Sequence, residues 1–308
     1  RDNAALLVYN ALDIEMIQSY RDGYAIAYGD KRTILSTKYG VYRLEGEVIG
    51  NEWAQLEGTT VDAALATGKT RLTNIRLVDS NTQNTINGVY EDNIKGPQTF
   101  SVSTPVEYLG QTVTMYVRDT TVLANAEVLG VYLKEGANTI LTTAGNQDTV
   151  ADYLKGTGVS VNANTEYYVN YGVVGSESAA KKALSFDSGD RFTSVSSKSN
   201  ANGVELTVID NDQDGVADYV LWLQETLSQV IAKNDTKETT TLSGLNSNKA
   251  IDNEDIVTDL TMSESDLVLA VSYGGRYYVS APEVVTGQME SFSSSKEKQQ
   301  YIEVGGEK

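Results

Sequence analysis

Apolar and polar residues alternate with a period of two along most of the chain after about residue 39. Short runs rich in β-branched side chains and tyrosine are separated by Gly, Asn and Asp, as in residues 110–119, 203–210 and 266–280. Such side chains on alternating positions are typical of half-buried strands. We therefore predict a mainly β, α+β fold: several small β-barrel or β-sandwich modules with short helices.

The first 20 residues follow a helical period instead. Apolar side chains recur every three or four residues and form two neighbouring rows on one side of a helix. This pattern predicts an N-terminal amphipathic helix over residues 1–20, whose broad apolar stripe needs a partner surface. The rows consist of Ala5, Val8 and Leu12, and of Ala4, Leu7, Ala11 and Ile14.

Three further segments, 59–68, 146–156 and 176–185, are predicted to form short helices. Each has Ser, Thr, Asn or Asp near its start, and two of them end at Gly. These residue types cap helix N-termini and C-termini, respectively. The Asn-Gly pair at 87–88 predicts a hairpin turn rather than a chemical site.

Two polar stretches rich in Ser, Thr and Asn, residues 185–203 and 232–255, are predicted to be loops or linkers. Together with the strand pattern they suggest four parts. These are an N-terminal helix over 1–20, a β-rich module with a short helix over 21–118, a β-rich module over 119–240, and a small β-barrel-like module over 241–308.

Composition excludes several classes of function. The formal charge of −18 and pI near 4.4 argue against nucleic acid or anionic membrane as partners, since binding those requires clustered Lys and Arg. No apolar run approaches the length of a membrane span. The chain has no Cys and no His, which excludes disulfides, thiol catalysis and imidazole bases. Carboxylates are plentiful enough for a glycosidase pair, but the chain has only two tryptophans to form a sugar platform, and no acid stands out in an apolar setting. We therefore predict that the chain is not an enzyme.

Four aspartates stand two or four residues apart in the stretch VIDNDQDGVADYVLW, residues 208–222. With Asp210 as position 1, carboxylates occupy positions 1, 3, 5 and 9, and Gly215 stands where the loop must turn. Carboxylates this close repel each other unless a cation lies between them. An oxygen-only cage suits Ca²⁺, which takes roughly six to eight hard ligands. The predicted ligands are Asp210, Asp212, Asp214, the carbonyl of Val216, and Asp218.

The loop is not an EF-hand, because Leu221 occupies the position of the bidentate Glu and the flanking residues predict strands. It resembles the strand-flanked Asp-x-Asp-x-Asp-Gly-x-x-Asp calcium loop of integrin-type propeller blades and of many bacterial surface proteins. The alternative is an acidic, solvated hairpin turn without an ion. With calcium bound, the expected role is structural: the ion would pin a hairpin.

The segment RDNAALLVYNAL resembles the closing helix of an S-layer homology domain, whose last motif reads Thr-Arg-Ala-Glu-Ala-Ala followed by an aliphatic helix and Ala-Leu. Asp2 and Asn3 replace the usual Ala-Glu pair. The alternative for residues 1–20 is a plain amphipathic helix packed on the first β module. The positions that match the family are Arg1, Ala4, Ala5, Leu7, Ala11 and Leu12.

The resemblance implies a structural, self-assembling extracellular protein of the bacterial cell surface, an S-layer or filament subunit stabilised by calcium. Its expected partners are copies of itself. Cell-wall polysaccharide is a further candidate partner through the remainder of an anchor domain preceding residue 1. The alternative function is a monomeric cell-surface adhesin or carbohydrate-binding module, and self-association distinguishes the two.

Overall fold

In the computed structural model the alternating pattern forms β-strands, and the fold is mainly β with few short helices, as the sequence predicts. In the strand Thr112–Arg118, for example, Val113, Met115 and Val117 are buried while the intervening residues are partly exposed. The structure describes residues 11–12, 14–27, 32–56, 64–78, 85–86, 89–90, 94–118, 123–144, 149–184, 204–282, 284, 286–293 and 301–304.

The chain divides into two units. Unit 1 comprises residues 1–57, 64–139 and 211–213, and unit 2 comprises residues 58–63, 140–210 and 214–308. We describe each unit separately.

Unit 1 contains a five-stranded antiparallel sheet with strand order β7-β4-β3-β8-β9 and two separate hairpins, β1–β2 and β5–β6. Buried side chains of β3, β4 and β8, among them Leu44, Leu72 and Met115, form its core. The strands are β1 Ile17–Arg21, β2 Tyr24–Ala27, β3 Val41–Asn51, β4 Thr70–Leu77, β5 Thr85–Ile86, β6 Val89–Tyr90, β7 Gln98–Phe100, β8 Thr112–Arg118 and β9 Glu127–Leu133.

The first sheet of unit 2 has the order β10-β13-β14-β11-β12, in which β11 runs parallel to β14 and the neighbouring β13 runs antiparallel to it. Its core contains Trp222, Val220 and Leu206, together with Val150 and Ala180 from two short helices. The strands are β10 Thr139–Ala144, β11 Glu166–Val169, β12 Gly172–Val173, β13 Val204–Asp210 and β14 Tyr219–Gln224.

The second sheet of unit 2 has the order β17-β16-β15-β19-β20-β18 and a separate core around Val230, Leu242 and Val268. A final hairpin, β21–β22, pairs antiparallel. The strands are β15 Thr226–Asn234, β16 Thr239–Leu242, β17 Ile251–Asp252, β18 Ile256–Val257, β19 Leu267–Tyr273, β20 Arg276–Ser280, β21 Met289–Ser293 and β22 Tyr301–Val304.

Three α-helices lie entirely within the described residues: α1 Ile34–Tyr39, α2 Val150–Tyr153 and α3 Glu177–Ala183. Thr149 and Ser176 cap α2 and α3 through their side-chain oxygens, so two of the three predicted short helices are confirmed. The third, over 59–68, lies largely outside the described residues, and its part from residue 64 onward is not helical. The sequence analysis missed α1, whose N-cap Thr33 forms a capping box with Ser36. Short 3-10 turns occur at Val106–Tyr108, Leu123–Asn125, Asn246–Asn248 and Asn253–Asp255.

Two predictions about chain segments need correction. Ala11 and Leu12 are helical, but Ile17–Arg21 forms β1, so the helix predicted over 1–20 was wrong at its C-terminal end. Residues 1–10 lie outside the described residues. The polar stretch 232–255 is not a loop throughout, because it contains the end of β15 and all of β16 and β17, and Thr239 and Thr240 of β16 pair with Asp252 and Ile251 of β17. The stretch 185–203 lies outside the described residues.

Two predicted module boundaries fall inside sheets. The boundary at 118 separates β8 from its neighbour β9, and the boundary at 240 falls within β16. Around Asn87-Gly88, the strands β5 and β6 pair antiparallel through Ile86 and Val89, while the two turn residues lie outside the described residues. Among the described residues, no helix is long and apolar enough to cross a membrane.

Candidate metal centre

The acidic loop, residues 210–218, connects the antiparallel strands β13 and β14. The last strand pair before it is Ile209 with Tyr219. The amide of Asp218 donates a 2.8 Å hydrogen bond to the carbonyl of Ile209, which closes the base of the loop. The predicted strand-flanked hairpin is thus present, and its ends are fixed by the sheet.

The turn within the acidic loop depends on backbone conformations that few residues adopt. Gln213 and Gly215 have positive φ angles of 61° and 83°. A Cβ atom at Gly215 would lie 3.2 Å from the carbonyl oxygen of Gly158, so a larger residue there would meet both backbone strain and a close contact. The carboxylate of Asp214 accepts a 2.7 Å hydrogen bond from the amide of Val216, an Asx-type turn.

Three of the four predicted carboxylates come together. Asp210, Asp212 and Asp218 each offer one oxygen, and these oxygens lie within 4.8 Å of one another. Asp210 is buried, Asp218 is half-buried and Asp212 is exposed. Asp214 is not part of this cluster. The cluster therefore has a closed side at Asp210 and an open side at Asp212.

The two carboxylate oxygens of Asp210 differ in their hydrogen bonding. Oδ2 accepts a 3.1 Å hydrogen bond from the amide of Gly215. Oδ1 accepts no hydrogen bond among the described residues. Solvent does not replace that bond, because Asp210 is only 2% exposed. A buried carboxylate oxygen without a donor is costly unless a cation or another donor approaches it. A cation or a further donor at Oδ1 of Asp210 would remove this cost.

Asn211 anchors the start of the acidic loop, and the sequence analysis missed it. Its side-chain amide donates a 3.1 Å hydrogen bond to the carbonyl of Gly110, and its own carbonyl accepts a 2.8 Å hydrogen bond from the Thr112 hydroxyl. Asn211 is buried. Because these partners lie about a hundred residues earlier in the chain, no local pattern indicates the contact.

The remaining predicted ligand is the carbonyl of Val216. Ser160 bridges to Val216 in parallel β fashion: its amide donates to the carbonyl of Gly215, and its carbonyl accepts from the amide of Ala217. In such a bridge, the residue that lies between the two bonded neighbours, here Val216, points its own N–H and C=O away from the opposite segment. The Val216 carbonyl is thus turned away from Ser160, to the side on which its amide meets Asp214.

The donor set fits calcium. All its members are carboxylate or carbonyl oxygens, the hard ligands that Ca²⁺ prefers, and the ion tolerates irregular geometry. A divalent cation would neutralise the repulsion among Asp210, Asp212 and Asp218 and would satisfy the buried Oδ1 of Asp210. The ion would hold the two ends of the acidic loop together and would offer no activated group for a reaction.

A second polar feature lies in unit 1, a cleft of about 650 Å³ beside β3 and β4. Its charged side chains largely bind one another. Lys134 contacts Glu45 at 2.7 Å, and Asn74 donates a 3.0 Å hydrogen bond to Glu47. The lining also includes Arg76 and Asp212, so the cleft shares Asp212 with the acidic loop.

The comparisons with known proteins add no relative. No protein-family model, curated protein or solved structure matches this chain. The inference about function therefore rests on the acidic loop and on the sequence resemblance.

Proposed function

We propose that this chain is a structural, self-assembling subunit of an extracellular bacterial surface protein, an S-layer or filament component, in which calcium stabilises the hairpin β13–β14. The observation that carries the proposal is the buried Asp210, whose Oδ1 accepts no hydrogen bond from the part of the chain that the structure describes and lies next to two further carboxylates. A chain that retains such an arrangement gains stability where free calcium is abundant, as it is outside the cell.

The position of the acidic loop supports a structural role for the ion. The loop joins two central strands of the first sheet of unit 2, next to a core that contains Val220 and Trp222. Fixing the loop therefore fixes the register of β13 against β14. The predicted ligands in this role are the carboxylates of Asp210, Asp212 and Asp218, with Asp214 and the Val216 carbonyl as additional oxygen donors.

Exposed apolar side chains on separate hairpins support self-assembly. In the hairpin β1–β2, Tyr20 and Tyr24 are 72% and 77% exposed, and Phe292 of β21 is 65% exposed. Both hairpins form two-stranded sheets of their own within the described residues. Two-stranded hairpins are marginally stable in water without a packing surface. Contact with other copies of the chain would supply that surface.

Negative-stain electron microscopy tests the function directly. The purified chain is imaged in millimolar calcium and again in excess chelator. We expect ordered arrays or filaments in calcium that dissolve on chelation. Single particles in both conditions would contradict self-assembly and favour a monomeric adhesin, which a glycan and matrix-protein screen would then address.

Calorimetry tests the metal separately. We expect the wild-type chain to bind calcium and the double variant Asp212→Ala, Asp214→Ala to lose that binding. The matched control is Asp235→Ala, which removes an exposed carboxylate from the neighbouring β15–β16 turn. Unchanged affinity in the double variant would exclude the acidic loop as the binding site.

A further inference from the structure

We propose that residues 160–166, here called the supporting segment, hold the acidic loop in a calcium-ready geometry, and that Thr165 is the positioning residue. The inference rests on the proposed calcium site and extends it to residues some fifty positions earlier in the chain. Thr165 does not touch the ion. It acts through Ala217 and Asp218.

The supporting segment runs beside the second half of the acidic loop and binds it with a series of short hydrogen bonds. The amide of Ser160 donates to the carbonyl of Gly215 at 2.9 Å, and the amide of Ala217 donates to the carbonyl of Ser160 at 2.8 Å. Further along, the amide of Glu166 donates to the carbonyl of Asp218 at 2.8 Å. The backbone is therefore held on both sides of Val216 and at Asp218.

Thr165 supplies a buried side-chain contact in this series. Its hydroxyl donates a 2.8 Å hydrogen bond to the carbonyl of Ala217 and accepts a 3.0 Å hydrogen bond from the amide of Asn162. The residue is only 6% exposed. Because donor and acceptor roles of the hydroxyl are both used, its orientation is fixed, and so is that of the Ala217–Asp218 peptide.

This support matters because repulsion among the three carboxylates opposes the geometry that the supporting segment holds. Asp218 must lie near Asp210 and Asp212 before an ion arrives, although the three like charges repel. Removing the Thr165 hydroxyl takes this donor from the Ala217 carbonyl. The Ala217–Asp218 peptide then keeps the hydrogen bond from the Asp218 amide to the Ile209 carbonyl but can tilt about it. Asp218 would then move away from the cluster, and calcium binding would have to draw it back. Groups that orient metal ligands typically change affinity by about ten- to a hundredfold when removed.

The test compares Thr165→Val, Thr165→Ser and a matched control, Thr258→Val, by calorimetric calcium titration. Thr258 also makes one bond of each kind, donating to the carbonyl of Val279 at 2.8 Å and accepting from the amide of Leu260 at 3.1 Å, but it directly follows β18 of the second sheet of unit 2. Circular dichroism in chelator verifies that each variant is folded.

We expect Thr165→Val to weaken calcium binding at least about tenfold, and Thr165→Ser to restore it to within about threefold of wild type. Thr258→Val should lose stability but keep the wild-type affinity. Thr165→Val with wild-type affinity, or an equal loss in Thr258→Val, would overturn the proposal. A wild-type chain that binds no calcium would instead overturn the proposed calcium site itself.

If Thr165→Val does not fold, Ser160→Ala takes its place. That change removes the 3.2 Å hydrogen bond from the Ser160 hydroxyl to the Gly215 carbonyl and leaves the backbone bonds intact. We expect a reproducible loss of affinity of about threefold, smaller because this hydroxyl is exposed and shares its acceptor with a backbone amide. Unchanged affinity in Ser160→Ala would then reject the supporting segment.

Discussion

The hairpins β13–β14 and β15–β16 both carry acidic residues in their connections, and the surroundings of those residues differ. The acidic loop between β13 and β14 buries Asp210 and leaves its Oδ1 without a donor. The turn between β15 and β16 keeps Asp235 exposed, with the Lys233 ammonium 3.8 Å away. There, Asn234 closes the turn by accepting a 3.0 Å hydrogen bond from the amide of Lys237.

The comparison shows that acidic residues in a hairpin do not by themselves indicate a metal. In the β15–β16 turn, water and a nearby lysine satisfy the carboxylate of Asp235. In the acidic loop, the sheet and residues 160–166 hold three carboxylates together. One of them, Asp210, is buried from water. The difference is burial combined with a missing donor, and each prediction below tests one part of it.

The largest expected effect is that of removing calcium. An ion that binds only the folded chain stabilises it by about 2.7 kcal/mol when its free concentration is a hundred times the dissociation constant. We expect thermal or urea unfolding of the wild type to shift by about that amount between calcium and chelator. Equal stability in both conditions would mean that the acidic loop behaves like the β15–β16 turn.

The effect of Asp210→Asn on the free energy of unfolding should have opposite signs in calcium and in chelator. In calcium the variant loses the ion and is less stable than wild type. In chelator it is more stable, by about 1 kcal/mol, since the amide removes a buried charge and can donate to the neighbouring carboxylates. Urea unfolding of both proteins in both conditions measures the effect. A variant that is less stable in chelator as well would show that Asp210 is satisfied without a cation.

A smaller effect is expected at Glu225, which lies between β14 and β15, where the chain passes from one hairpin to the next. Burial, and to a lesser extent the charge of Glu205, raise the pKa of Glu225 above its ordinary value of 4.5. Burial likewise raises the pKa of Glu205. Half-buried carboxylates outside the acidic loop are therefore less favourable when charged than in the unfolded chain.

The sign of the pH dependence follows from these shifts. Just above pH 4.5 the folded chain holds more protons on Glu225 than the unfolded chain does, so stability falls as pH rises through the raised pKa. Glu225→Gln should reduce this dependence to the part contributed by Glu205 and should stabilise the protein at neutral pH by about 0.5 kcal/mol, a small gain because water screens the half-buried charges. Urea unfolding between pH 4 and pH 8 measures it, and a destabilised variant at neutral pH would contradict it.

The smallest effect is expected for Asp235→Asn in the β15–β16 turn. The change removes an exposed charge 3.8 Å from the Lys233 ammonium, so stability should shift by less than about 0.5 kcal/mol. The shift should be the same in calcium and in chelator. A calcium-dependent difference in this variant would show that the ion also binds outside the acidic loop.

Local signals predicted the strands and two helices well. The alternation in Thr112–Arg118 and the Ser and Thr caps of α2 and α3 act within a few residues, and tertiary contacts agree with them. The helix over 1–20 extended too far because its two apolar rows end at Ile14 and no local signal marked the start of β1 at Ile17. The Thr-rich strand β16 was missed because its polar composition hides a β-branched pattern that is half buried in the sheet.

The residues of the acidic loop itself were predictable, because Asp-x-Asp-x-Asp-Gly-x-x-Asp is a local spacing. The spacing did not predict which of the carboxylates come together. Asp214 stands at the expected position in the sequence, yet its side chain accepts a hydrogen bond from the amide of Val216 and lies outside the cluster of three carboxylates. That outcome depends on the backbone angles of Gln213 and Gly215, which the spacing alone does not specify.

The amino-acid sequence determined the mainly β architecture, the strand–loop–strand arrangement at residues 204–224 and the closely spaced carboxylates there, because each depends on neighbours along the chain. Only the tertiary structure decided that Asp210 is buried without a donor at Oδ1 and that Asn211 and Thr165 anchor the loop and its support. The partners of those residues lie some 50 to 100 positions away, and burial arises only when the strands pack.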